Sequence, residues 1–332
     1  MEKKNFDFKL VDYDNLNELT EMFNLCFNLI PSENYFEWKF LHNPAGKAIG
    51  FVAYHEGEVA GFYGVIPEQF MVNGEKTLVY QSMDTMTHPK YQRQGLLTSL
   101  AKKTYEHLIE QDGEVFIIGF PGETSHPILV KKLGWKDIVL IDIIFLNQAA
   151  FKMKSLFRKT SNLSFEKIEK FDESFKSYFE NKNYPVGRIL RRYDENFLNW
   201  RVLSNPLFEY EVVKMSEAGD LVGFLVYALY EKKRCFIYHI DFAEDELYEK
   251  YLNSVCNYLF EENQSNFLYT FEPTQPLLAE LFKKNWFIKN IFGKGPFSYK
   301  PPLTGFSNCE KIKNVDFFQK ESYHIQPLLR DY

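Results

Sequence analysis

The sequence predicts two tandem domains of the α/β class (α+β type), each a mixed, mostly antiparallel sheet flanked by helices. Three observations carry this reading. The segment ENYFEWKFLHNP at 33–44 returns as ENFLNWRVLSNP at 195–206, an offset of 195 − 33 = 162 residues with six of twelve positions identical. The same offset relates GEVAGF (57–62) to GDLVGF (219–224). A period this long marks two related domains, because solenoid units run to only about 20–50 residues. Strands outnumber helices, and hairpins dominate the start of each half, so the sheets are mixed.

The elements of the first half follow in order. ENYFEWKFL reads as a helix closed by Asn43-Pro44. KAIGFVAYH (47–55) and EVAGFYGVI (58–66) form a hairpin around Glu56-Gly57, and a second strand pair turns at Asn73-Gly74. LVYQSMDTMT (78–87) is a strand, HPKYQRQG (88–95) a loop, and the next segment a helix ending near Gln111. EVFIIGFP (114–121) is a strand, a helix runs from Glu123 to Leu133 with Gly134 as its stop, and WKDIVLIDIIFLN (135–147) is a last strand. The expected domains are 1–150 and 188–332. Residues 151–187 join them as a basic, solvated linker, because FKMKSLFRKTSN (151–162) holds no acid.

Composition bounds the function. With 45% hydrophobic and 25% charged residues over 332 positions, the chain is an ordinary globular one, and 33 Phe and 21 Tyr supply a large core. A net charge of −6 argues against a nucleic-acid partner. Cys26, Cys235, Cys256 and Cys309 are scattered without metal-type spacing and read as free thiols of a reducing compartment. The N-terminal residues show no secretory pattern. The longest apolar run, IVLIDIIFL (138–146), is interrupted by Asp142, so no membrane span is expected. The expectation is a cytoplasmic protein without a metal.

The loop at 88–95 carries the chemistry. A strand that delivers a Gly-containing loop into a helix N-terminus makes an anion site, since the first helical amides lack partners and the helix dipole favours negative charge. Gly95 permits close backbone approach, Gln92, Arg93 and Gln94 add donors, and Thr98 offers a hydroxyl in the first turn. The loop is neither a Walker A motif nor a dinucleotide fingerprint. A plain polar strand–helix turn is the competing reading.

THPKYQRQGLLTSL resembles the acyl-CoA loop of the GNAT N-acetyltransferase superfamily, in which Gln/Arg-x-x-Gly-x-Gly/Ala follows a strand. Gln92, Arg93, Gln94, Gly95, Leu96 and Leu97 fill the pattern, with Leu97 where Gly or Ala is usual. The resemblance implies a tandem-GNAT architecture in which acetyl-CoA binds along 92–98. It also implies that the backbone of Met86 and Thr87 binds pantetheine and polarises the thioester, and that Ser125 contacts the cofactor. In the second half the matching place reads YHIDFAEDELYEKYLN (238–253); it is acidic and should repel CoA phosphates, so this half reads as a degenerate copy.

Acyl transfer to an amine also needs a group that holds or deprotonates it. Asp84 stands two residues before Met86, on the same strand face by alternation, and is the expected base or anchor; solvent exposure or pairing with a basic neighbour is its structural alternative. Val130 occupies the place of the family's usual Tyr acid. His126, at the start of that helix, and the Tyr332 terminal carboxylate are further candidates, and a plain surface role for His126 stands beside the functional one. The implied activity is an acetyl-CoA-dependent N-acyltransferase acting on a small-molecule amine. A non-catalytic CoA-binding pseudoenzyme is the alternative.

Overall fold

The computed structural model describes residues 4–29, 34–155, 162–231, 233–290, 297 and 299–330. Two compact units divide the chain. The first comprises Met1–Val139, Ser204–Phe208 and Pro302–Gln319; the second comprises Leu140–Leu203, Glu209–Pro301 and Lys320–Tyr332.

The first unit starts with β1 (Asp7–Leu10), α1 (Asn17–Phe27), α2 (Tyr35–Leu41), β2 (Ile49–His55), β3 (Glu58–Val72) and β4 (Glu75–Thr87). It continues through α3 (Leu96–Asp112), β5 (Phe116–Gly119), α4 (His126–Leu133) and β6 (Lys136–Leu140). The second unit takes β7 (Ile143–Asn147), α5 (Gln148–Ser155), β8 (Leu163–Lys167), α6 (Lys176–Glu180), β9 (Ile189–Arg191) and α7 (Glu195–Leu198). It goes on with β10 (Glu211–Glu217), β11 (Asp220–Tyr230), β12 (Arg234–Phe242), α8 (Glu246–Glu262), β13 (Phe267–Phe271), α9 (Pro276–Lys284) and β14 (Ile288–Lys289). β15 (Pro302–Ser307) then returns to the first unit.

The strand orders are β1-β2-β3-β4-β5-β15-β6 and β14-β7-β13-β12-β11-β10-β8. In each sheet the strand inserted next to last comes from the other half of the chain. β15 pairs antiparallel with β5, Thr304 opposite Gly119, and β7 pairs antiparallel with β13, Asn147 opposite Phe267. The two related halves have exchanged their last strands, so the units interleave along the chain where the repeat alone suggests consecutive blocks. The single strand read over 135–147 divides at Ile141-Asp142 into β6 and β7. Asp142 ion-pairs Lys289 at 3.0 Å and also contacts Lys300. Burial pushes its carboxyl up, but the two ammonium groups outweigh that and hold it below the usual range.

Periodicity explains the helices. On α8 the buried residues Tyr248, Tyr251, Leu252, Val255, Cys256 and Leu259 recur at three- and four-residue steps and cover the second sheet. On α3 Leu100, Ala101, Tyr105 and Leu108 do the same against Tyr63, Val115, Ile117 and Trp135 of the first unit. Each such large side chain contributes roughly 1.5–3 kcal/mol on burial. Trp38 and Trp200, at matching repeat positions, are both core residues at 6% and 5% exposure. Of the expected linker, residues 163–182 are folded: β8 pairs with β10, and Phe171, Phe175 and Phe179 pack around Phe224. Residues 156–161 of that stretch lie outside the described residues.

Candidate active site

β4 is the frame of the site. On one edge it pairs with β3 as far as Gly61 opposite Thr87. On the other edge its parallel pairing with β5 consists of Tyr80 opposite Ile117 and Gln81 opposite Ile118, and β5 ends at Gly119. Among the described residues, 82–87 therefore have a strand on one side and no paired strand on the other, and the Thr87 carbonyl accepts from Cys26 Sγ at 3.6 Å. Such a splay leaves backbone donors and acceptors pointing into a slot, and each of them requires a partner. The edge includes Met86 and Thr87; the Met86 side chain is buried at 1% exposure, so only its backbone can address a ligand.

The open edge begins with a bulge. Gly64 lies opposite Met83 and Phe62 opposite Met86, so β4 carries one residue more than β3 across this step. Asp84 lies in it with φ 44°, a left-handed conformation uncommon for a non-glycine residue. Asp84 meets Lys39 and Tyr35 of α2, the helix whose Phe40 stacks on Phe62 opposite Met86, so the bulge leaves the carboxylate on the side of the sheet that Met86 shares. Its Oδ2 accepts from Lys39 Nζ at 2.7 Å, and Tyr35 Oη donates to both carboxylate oxygens at 3.4 Å. Lys39 Nζ also donates to Tyr35 Oη at 2.8 Å. The Lys39 side chain is fully buried and that of Asp84 is 10% exposed. Tyr35 and Lys39, four residues apart on α2, project from one helix face and hold the carboxylate together. A lysine at 0% exposure needs such a partner, since an isolated buried ammonium is very costly. Neither Lys39 nor Tyr35 is among the site residues expected from the sequence. The tyrosine–lysine spacing on a short helix, in a chain that also holds a mid-strand aspartate, was the available signal.

The loop follows directly. Tyr91 is buried and its hydroxyl donates to Glu58 at 2.6 Å, while Lys90 ion-pairs the same carboxylate at 2.9 Å. These two hydrogen bonds hold the Glu58 carboxyl down at about 2. The loop base is thus pinned to the β2–β3 hairpin. Beyond it Gln92 and Arg93 are exposed, Gln94 is half-buried, and its Oε1 accepts from the Lys4 amide at 3.4 Å. Gly95 is the N-cap of α3 with φ 80°, and a Cβ built there meets nothing within 4 Å. No side chain caps the helix and its first turn holds no acid. Leu96 is buried in the core, while Leu97 and Thr98 are half-buried. Open space above a left-handed glycine, uncapped amides and unneutralised helix polarity are what a pyrophosphate requires. The structure brings Met86, Thr87 and 92–98 into one continuous strand–loop–helix, with Asp84 at its head.

The other candidates stand apart from Asp84 in their bonding. Ser125 Oγ donates to the Gly122 carbonyl at 3.3 Å, and His126 Nε2 lies 2.6 Å from Asp137 of β6. Val130 is half-buried against the core of the first unit. Tyr332 lies outside the described residues. Among the described residues no group of His, Cys, Asp and Glu is arranged to hold a metal ion, and no helix is long and apolar enough to cross a membrane. All four cysteines are free thiols.

The second unit departs from this pattern at two places. β12 pairs parallel with β13 from Arg234–Phe267 to Phe236–Tyr269 and then parts from it. Here, however, the Gln326 side chain fills the edge: its Oε1 accepts from the Ile240 amide at 2.9 Å and its Nε2 donates to the Ile240 carbonyl at 3.0 Å. The following helix, α8, opens on exposed Glu244, Asp245 and Glu246 instead of a glycine loop.

Residues 7–138 match the family of the acetyltransferase (GNAT) domain. This segment, about two fifths of the chain, is similar to acyltransferase domains of the GNAT class, a family that uses acyl-CoA as its donor. No curated protein matches the sequence. Solved structures share the fold over both halves. A conserved Enterococcus faecalis protein described as a probable N-acyltransferase is 11% identical, with 91% of this chain and 72% of that one covered at a TM-score of 0.68. A GCN5-related N-acetyltransferase from Anabaena variabilis is 12% identical over 91% and 72% of the two chains, TM-score 0.64. Saccharomyces cerevisiae N-myristoyltransferase with bound myristoyl-CoA is 12% identical over 92% and 79%, TM-score 0.53. At these identities the likeness is one of fold.

Proposed function

We propose that the chain transfers the acetyl group of acetyl-CoA to a primary amine of a small molecule, with the first unit as its working half. One observation carries the reading: the open edge of β4 runs without interruption into an uncapped helix N-terminus behind Gln92–Gly95, with a bulged, lysine-held aspartate at its start. Acetyl-CoA supplies an activated thioester. The residues present fit it: the amides of Leu96–Thr98 with Gln92, Arg93 and Gln94 suit the phosphates, and the backbone of Met86 and Thr87 suits the pantetheine arm and the thioester carbonyl. A backbone donor aimed at a developing oxyanion contributes about 3 kcal/mol. Asp84 is already engaged by Lys39 at 2.7 Å, so its first task is to anchor the ammonium of the acceptor; it then takes the proton directly or through a water. Free thiols favour a reducing, cytoplasmic setting.

The test is release of free thiol from acetyl-CoA against a panel of amino sugars, polyamines and amino acids. Saturable, amine-dependent release supports the reading. CoA binding without release for any amine would favour the second reading, a non-catalytic CoA-binding module, for which Val130 in place of a tyrosine acid speaks.

A further inference from the structure

The second unit holds a cavity of about 310 Å³ that the acyltransferase reading leaves unused. Its wall includes His239 and Asp241 from the end of β12, His324 from the C-terminal segment, and Tyr184 and Tyr193 from the chain between α6 and α7. His239 is 2% exposed, and among the described residues neither of its ring nitrogens has a hydrogen-bond partner; Nε2 of His324 has none among them either. Buried polar groups are almost always paired, and an unmet one costs about 1–3 kcal/mol. Two imidazoles left unsatisfied on one small cavity therefore point to a ligand.

Their charge state restricts its chemistry. Burial pushes His239 down to about 3 and His324 down to about 4, so both rings are neutral at pH 7. A neutral imidazole offers one donor and one acceptor, and a hydroxyl answers both. Two cations line the cavity: the Arg191 guanidinium lies 4.9 Å from the Phe197 ring centroid, and Lys182 Nζ donates to both oxygens of Asp241 at 2.8 and 2.9 Å, with Tyr178 Oη donating to the same carboxylate at 2.6 Å. Exposed Glu244, Asp245 and Glu246 line the cavity as well and repel anions. The Tyr193 ring, 4.4 Å from the His239 ring, adds an apolar face. The volume is at the low end of the about 300–1,000 Å³ usual for small-molecule sites.

We propose that this cavity binds a small, non-anionic polyhydroxylated molecule of monosaccharide size, recognised by the unpartnered nitrogens of His239 and His324. The site lies in the unit that lacks the CoA loop, so the inference is independent of the acetyl-transfer reading.

The experiment observes the imidazole nitrogens of the full chain, labelled with 15N-histidine, during titration with glucose, galactose, glucosamine and inositol, with glucose 6-phosphate as the anionic control. At least one uncharged or cationic probe shifts both rings saturably at concentrations below about 10 mM, and the phosphorylated sugar binds at least about tenfold more weakly. His239→Phe keeps an aromatic ring but removes the polar atoms, and weakens binding at least about tenfold with CoA binding unchanged. If that variant fails to fold, His324→Gln carries the same expectation. The proposal is overturned if no probe shifts either ring, if the phosphorylated sugar binds equally well, or if the folded variant binds as before.

Discussion

Asp84→Asn separates the chemistry of the bulged aspartate from its part in the fold. The exchange keeps size and removes the carboxylate 2.7 Å from an ammonium at 0% exposure. Breaking a buried ion pair by removing one partner costs about 3–5 kcal/mol. For a unit of this size that corresponds to a fall in Tm of roughly 10 °C. On the proposed role of Asp84 the same substitution removes the anchor and proton acceptor, so acyl transfer is expected to fall by about 10²-fold or more. CoA affinity stays within a few-fold, because the loop at 92–98 is untouched. Some rate returns at high pH, where an amine with a pKa near 10.4 is deprotonated by solvent. Activity alone would leave a damaged fold as the explanation, so the decisive variant is Asp84→Asn with Lys39→Met. Removing both members of a buried pair is often nearly neutral. The double variant should regain most of the lost Tm in a thermal melt while thiol release stays low. Recovery of both stability and turnover would refute the assignment and leave Asp84 a purely structural counter-charge for Lys39.

Other expectations follow from the same geometry. Gly95→Asn, a residue that tolerates a φ of 80°, leaves the fold intact, whereas Gly95→Glu places a carboxylate at the helix N-terminus and lowers CoA affinity by about 100-fold or more in calorimetry; equal affinity in both variants would show that the loop is only a turn. Titration with CoA gives one site per chain, because Gln326 occupies the open edge of β12 and an acidic turn precedes α8; two equivalent sites would contradict this. Stability falls on mild acidification. The His239 pKa is depressed on folding from the ordinary value near 6.5 to about 3, so its contribution is complete above 6.5 and is lost as pH falls toward 3. Between pH 6.5 and 5 that amounts to roughly 2 kcal/mol. His239→Phe should flatten this part of the Tm–pH curve, and an unchanged slope would sink the account. A fragment ending at residue 150 lacks β15, the strand between β5 and β6, and should fail to give a cooperative melt; a sharp transition in that fragment would show the exchange to be dispensable.

How much of the site was legible in the sequence depends on how local its parts are. The loop was legible because Gln92 to Gly95 lie side by side and a helix begins after them; the glycine conformation, the uncapped first turn and the outward residues are all properties of one short segment. Asp84 was legible as a misfit, an acid within an alternating apolar strand. Its environment was not, because the extra residue of the bulge shows only in the register against β3. The Lys39 partner lies 45 residues away, on a helix whose burial depends on tertiary packing. The cavity histidines were invisible for the same reason: His239 and His324 come together only when the C-terminal segment reaches the end of β12.

The internal repeat made the duplication visible but concealed the exchange of last strands. Offsets along the chain record which segments are related and say nothing about which sheet each one joins. WKDIVLIDIIFLN was apolar enough to read as one strand, and Asp142 was the mark of its division. That carboxylate, held by Lys289 and Lys300, needs a charged, half-exposed setting, so the chain must leave one sheet before it and enter another after it. β15 then closes the first sheet as β7 closes the second. The consequence for function lies in what each half has kept. In the first unit the edge beyond Gln81 is open and the helix behind it is free of acid, so an anionic, strand-like donor fits. In the second the same edge is met by Gln326, whose amide supplies one donor and one acceptor to Ile240 as a neighbouring strand would. With this edge met by Gln326, the second unit does not repeat the open strand edge of the first. The polar cavity beside the plug can then serve a ligand of different chemistry.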